Sequence, residues 1–142
     1  MIHFQLVALS GTKFDGDVYE VILPTLDGEI GVLQDHMPLV SVATIGMIAV
    51  RKDPKDNDAK RELFAISGGV IDVTDNKLRV LVDEADHADD INEAEARVAM
   101  ERAERLRAEA KDEVSLERAQ SLVDRHAVRL QVANLRRRRQ KH

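Results

Sequence analysis

The sequence has no cysteine and no tryptophan, and no aromatic residue of any kind follows Phe64. Without cysteine there is no disulfide framework, no thiolate nucleophile and no cysteine-based metal site. Glycine and proline are equally one-sided, since all seven glycines and all three prolines precede residue 70. No carboxylate side chain follows Asp124. The longest run free of Asp, Glu, Lys and Arg is the 15 residues from His36 to Val50, and Pro38 interrupts it. A membrane-spanning helix needs ~20 apolar residues, so none is expected. The start, Met1-Ile2-His3-Phe4-Gln5, lacks the basic opening and apolar centre of a secretion signal. A chain that stays in the compartment where it is made is therefore predicted.

What remains is enough for one domain and an appendage: 142 residues, 44% of them apolar and 33% charged. The net charge of −5 is unevenly spread. Residues 1–86 carry −7, residues 87–124 carry −5 and residues 125–142 carry +7. A basic tail on an acidic body predicts that the tail meets something acidic, either its own body or a partner.

The loss of turn-formers and aromatics after residue 70 marks a change of secondary-structure class. Before it, short alternating runs read as strands: Phe4–Leu9, Val18–Leu23, Gly28–Leu33, Leu39–Arg51, Glu62–Ser67, Val70–Thr74 and Lys77–Asp83. Gly16-Asp17 and Asp75-Asn76 read as turns between them. After about residue 90 the period changes to steps of three and four. Ile91, Ala94, Val98, Ala99, Ala103, Leu106 and Ala110 form one stripe; Leu116, Ala119, Val123, Ala127, Leu130 and Ala133 form another. Asp90 with Glu93 resembles a capping box, and Asp112 is the expected second N-cap. Arg136 to Arg139 sit where positive charge suits a helix C-terminus. The predicted fold is α+β: an N-terminal β-sandwich of short strands over residues 1–86, then a C-terminal antiparallel α-helical hairpin over residues 87–142. Alanine-rich stripes bury little area, which is compatible with a hairpin that can detach.

Catalytic constellations are missing. There is no GxxxxGK(S/T) loop, no GxGxxG after a strand and no GxSxG around Ser67-Gly68-Gly69. The five histidines lack ligand spacing, and the acidic stretch from Asp83 to Asp90 reads as a linker and N-cap rather than a cation loop. No metal and no cofactor are expected. With no aromatics to interleave with the arginines of the tail, nucleic acid is not expected either.

One segment carries a resemblance. Gly28-Glu29-Ile30-Gly31-Val32-Leu33-Gln34-Asp35-His36-Met37-Pro38-Leu39 fits without a gap the pattern G-E-(L/I)-G-x-x-x-x-H-x-P-L. Ser67-Gly68-Gly69-Val70 and Glu101-Arg102-Ala103-Glu104-Arg105 match two further signatures in order. By these features the chain strongly resembles the epsilon subunit of bacterial F-type ATP synthase. The resemblance implies a non-catalytic rotor subunit in the central stalk of a proton-translocating enzyme, peripheral at the cytoplasmic face of the bacterial plasma membrane. It implies a sandwich bound to the gamma subunit and resting on the c-subunit ring, with Glu29 facing the ring and His36 facing gamma. From the residues alone, Gly28-Glu29 also fits a plain turn, and His36 with Pro38 also fits strand placement. The hairpin is implied to lie folded against the sandwich or to extend along the stalk and obstruct hydrolytic rotation. Extension would bring Arg136, Arg137, Arg138, Arg139 and Lys141 near the alpha and beta catalytic subunits.

Some members of that family bind ATP on the folded hairpin through an (I/L)-D-x-x-R-A pattern and later arginines. Here the stretch is Ile91-Asn92-Glu93-Ala94-Glu95-Ala96, with Asn92 for the carboxylate and Glu95 for the arginine. Arg102, Arg125 and Arg129 match the later positions. The resemblance thus implies at most a weak ATP site on Asn92, Arg102, Arg125 and Arg129. Two rival readings have their own consequences. A free-standing β-sandwich binding module with a dimerising hairpin predicts a stable homodimer and no affinity for gamma. An enzyme predicts turnover by the chain alone.

Overall fold

A computed structural model describes residues 1–140. Eight strands form one hydrogen-bonded sheet: β1 (Ile2–Ala8), β2 (Gly11–Val18), β3 (Glu20–Thr25), β4 (Gly28–Leu33), β5 (Leu39–Arg51), β6 (Glu62–Thr74), β7 (Lys77–Val82) and β8 (Ala85–His87). Their order is β2-β1-β7-β6-β5-β3-β4, with β8 added beside β6. All pairings are antiparallel except β1 with β7.

This path folds into two layers because β5 and β6, 13 residues each, turn a corner together. On β6 the core-facing side chains are Phe64 and Ile66 before the corner, then Ile71 and Val73 after it. Even positions face inward first and odd positions later. On β5 the switch runs from Ala43 to Ile48 and Val50. Gly68 adopts φ 97° at the corner, a value that favours glycine. At Gly69 a Cβ would overlap the Leu81 carbonyl. One half of each long strand therefore belongs to each layer, and the two inner faces enclose Phe4, Leu6, Leu23, Ile48, Phe64 and Leu78, all 1% exposed or less. Phe14 stacks between Phe4 and Phe64 at 5.3 and 6.1 Å, and the His87 ring meets Phe64 edge-on at 4.9 Å.

The sequence reading separated β6 into two strands; it is continuous through the glycines. It also left out β2, which is polar, glycine-containing and at the edge of the path, so alternation gives no signal there.

The two helices are α1 (Glu93–Glu109) and α2 (Glu113–Gln140), antiparallel and packed together. The α1 cap is a correction. Asn92 Oδ1 accepts from the Glu95 amide at 3.0 Å, while Asp90 lies in a 3₁₀ turn, Ala88–Asp90. The expected cap at Asp112 is present, accepting from the Ser115 amide at 2.7 Å. The predicted α1 stripe is also shifted. Ala103 is buried as expected, Ala96 outside the predicted stripe is buried with it, and Ala94, Val98 and Leu106 are exposed. In an alanine-rich helix the apolar face is poorly defined by periodicity, and packing chooses it.

Each outer face of the sandwich carries an apolar patch, and the two patches end differently. On one, Ala49, Leu63 and Ala65 are covered by Val132 and Ala133 of α2. On the other, Val42, Val70 and Leu81 lie side by side across β5, β6 and β7 at 52%, 47% and 48% exposure. That face is bare.

Candidate functional surfaces

The bare row continues beyond the corner. Leu9 and Leu26, among the most exposed apolar residues, border the same shallow groove of about 1030 Å³ as Val42, Val70 and Leu81. The far wall of that groove is α2, at Asp124, Ala127 and Val128. Exposed aliphatic side chains grouped in a row over neighbouring strands make this the candidate interaction surface.

Glu29 and His36 lie toward opposite ends of β4. Glu29 is exposed, opposite Pro24 beside the Leu26-Asp27 turn. His36 lies beyond Leu33, half-buried, its Nδ1 donating to the Met37 carbonyl at 2.7 Å. Asp35 fixes this loop: its amide donates to Asn76 Oδ1 at 2.7 Å, tying it to the β6–β7 turn. The strand between Glu29 and Leu33 spans about 13 Å, so the two residues lie well apart on the surface.

The basic end of α2 lies against its own body. Arg136 Nε donates to Asp89 Oδ1 at 2.5 Å, and Arg137 lies 3.5 Å from Glu93 of α1. Arg139 donates to the Arg61 carbonyl at 3.1 Å. Burial first, and the nearby Arg61 charge second, lower the Arg139 pKa from its ordinary value. Arg138 is exposed, with no carboxylate partner among the described residues. Lys141 lies outside the described residues.

The four residues considered for ATP are not gathered into one pocket. Asn92 is spent as the α1 cap, and Arg102 is exposed on α1. Arg125 pairs with Glu84, and Arg129 Nε lies 3.1 Å from Asp86 Oδ2. That approach is close enough for ion pairing but off the hydrogen-bonding angle, which leaves the buried Nε without an acceptor. The cavity bordered by these four charged side chains is about 10 Å³. Between the two arginines, His126 accepts from Arg129 at 3.3 Å in its neutral form. Burial first, then the charges of Arg129 and Arg125, lower its pKa below 6.5.

The strap partners Glu84, Asp86 and Asp89 are what sequence reasoning missed as functional groups. A signal existed, an acidic stretch in a chain with a basic end, but their pairing was not legible.

Comparison with known proteins resolves the family. Residues 1–88 match the model for "ATP synthase, Delta/Epsilon chain, beta-sandwich domain". The chain belongs to the ATP synthase epsilon-chain family. It is 35% identical over 133 residues to the ATP synthase epsilon chain of Halalkalibacterium halodurans, covering 93% of this chain and 96% of that one. It is 34% identical to the Herpetosiphon aurantiacus epsilon chain, covering 98% of each. In fold it is similar to a chain of the Euglena gracilis mitochondrial ATP synthase assembly of OSCP, F1 and c-ring in rotational state 1. That match has a TM-score of 0.76 at 22% identity and covers 94% of this chain and 81% of that chain. Epsilon chains are non-catalytic subunits of ATP synthase, so the functional surfaces of this family member are for contact rather than chemistry. Among the described residues no helix is long and apolar enough to cross a membrane.

Proposed function

We propose that this epsilon-family chain is a central-stalk subunit that docks to the gamma subunit through the bare apolar face and carries a regulatory hairpin on the covered one. The observation that carries the reading is the asymmetry of the sandwich. Each outer face has an apolar patch: α2 covers one, and the row Val42-Val70-Leu81 on the other, next to the polar Asp72 and Arg79, is left about half exposed. Three half-exposed aliphatic side chains in one row suit a dry protein interface.

On this reading His36 belongs to the gamma-facing end, and Glu29 with Leu9 and Leu26 faces the c-subunit ring. The ring is driven by protons, and the assembly holds the chain at the cytoplasmic face of the bacterial plasma membrane. The hairpin inhibits ATP hydrolysis when it leaves the sandwich, placing Arg136 to Arg139 against acidic surfaces of the alpha and beta subunits. ATP enters only by displacing Glu84 and Asp86 from Arg125 and Arg129, so nucleotide control is weak.

The test is an ATP synthase head assembled with gamma but without this subunit. Full-length chain and residues 1–88, which contain the sandwich core, are added in turn, and hydrolysis is measured. Both are expected to bind, and only full-length chain to slow hydrolysis. Binding of both without slowing removes the inhibitory role. Failure of both to bind overturns the docking reading, and a stable homodimer of the free chain would favour the dimerising module instead.

A further inference from the structure

We propose that the acidic strap after β7 and one flank of α2 form an electrostatic clasp that supplies a salt-sensitive share of the hold of the hairpin on the sandwich. The hairpin then comes away when those charges are screened or removed, while the sandwich stays folded. The proposal rests on the reading of the hairpin as the part that moves.

The apolar hold is rich in alanine. Of the eight buried residues in the cluster between sandwich and helices, five are alanine, and Ile22, Met47, Val128, Leu130 and Leu135 pack against them only partly buried. The sandwich core has nineteen buried members, three of them alanine, and all lie between Ile2 and Ala85. Each alanine removes little area from water, so these five positions contribute less than larger side chains would and leave a share of the hold to charge.

The charged hold is in register. Arg125, Arg129 and Arg136 are four and then seven residues apart on α2, which places them within about 40° of one another around the helix. Ala85 points into the core at 3% exposure, so its neighbours Glu84 and Asp86 point outward, toward α2. Along α2, Arg125 to Arg129 advances about 6 Å, and Glu84 to Asp86 in extended chain covers about 7 Å. From Arg125 to Arg136 the helix advances about 16 Å; three extended steps and two of 3₁₀ rise carry the strap about 14 Å from Glu84 to Asp89. The matching advances let the two elements pair in chain order: Arg125 with Glu84, Arg129 with Asp86, Arg136 with Asp89. The carboxylates remain 62%, 38% and 62% exposed, so salt reaches every pair.

The lack of native cysteine allows two unique spin labels on the full chain, at K55C in the β5–β6 loop and Q131C on the exposed side of α2. Neither position belongs to the clasp. Electron–electron distances are measured from low salt to about 1 M salt, with amide spectra recorded to follow the strands. A single short distance is expected at low salt, and the longer-distance population should grow about tenfold as three exposed pairs are screened. E84Q/D86N/D89N should show the longer distance already at low salt, with the strand amides unchanged. E101Q/E104Q/E109Q, which removes three exposed charges outside the ion pairs, should behave as wild type. A strap variant that keeps the wild-type distance at every salt concentration overturns the clasp. If the strap variant opens but the full chain never slows hydrolysis in the assembled head, the clasp stands and the regulatory reading falls.

Discussion

Replacing Val42 and Val70 with threonine tests the docking face with almost no change of shape. Threonine keeps the β-branch and thus the strand preference, and exchanges a methyl for a hydroxyl. In the free chain both positions are about half exposed, at 52% and 47%, so the hydroxyls find water. V42T/V70T should unfold in urea within about 0.5 kcal/mol per site of wild type. A partner seated on the face changes that. Completing the burial of each valine is worth about 1 kcal/mol, half the value of a fully buried side chain. Each hydroxyl enclosed without a partner costs about 1 kcal/mol or more. Binding should therefore weaken by about 2–4 kcal/mol, roughly 30- to 700-fold in Kd. Fluorescence anisotropy with a label at E109C, titrated with the gamma-containing head, reads that change. L63A supplies the opposite pattern: Leu63 is 2% exposed beneath the hairpin, and its truncation should cost about 2–4 kcal/mol of stability. A folded V42T/V70T protein that binds as tightly as wild type would show that the partner sits elsewhere.

Three other outcomes follow from local geometry. His3 lies between two β2 carboxylates, with Nε2 2.6 Å from Asp15 and Nδ1 2.9 Å from Asp17, and its hydrogen bond to Asp17 raises its pKa most. Because the folded value is raised, the pair stabilises fully below pH 6.5 and loses its effect as pH rises through the folded pKa, so the Tm advantage over H3Q should be present at pH 6 and vanish in alkali. G69A should destabilise by at least about 3 kcal/mol in urea unfolding, because the atom met is the Leu81 backbone carbonyl and not a side chain that can turn away. N92A should cost about 1 kcal/mol and raise amide exchange in the first turn of α1, and D90A should leave that turn unchanged.

How far the sequence led is clearest at particular residues. The Gly28-to-Leu39 motif, the end of glycine and aromatics by residue 70 and the three-four periodicity were sufficient for the family, the sandwich and the hairpin. These features are local, carried by neighbours a few positions apart. The same locality explains the misplaced α1 stripe. Periodicity puts Ala94, Val98 and Leu106 on one face with Ala103, and the position of α2 keeps Ala103 but buries Ala96 in place of the other three. Asp90 and Asn92 are both good caps, and the 3₁₀ turn at Ala88–Asp90 decided for Asn92.

Glu29, His36 and the arginines of α2 could all be named from the sequence, but their surroundings could not. Arg125 meets Glu84 across 41 positions and Arg136 meets Asp89 across 47. Sequence by itself determined that a basic helix end would seek acid. Tertiary structure decided which acid, because the corner at Gly68-Gly69 and the pairing of β8 with β6 bring the strap alongside α2. It also decided which apolar patch stays bare, since the hairpin packs on Ala49, Leu63 and Ala65 and leaves Val42, Val70 and Leu81 half exposed.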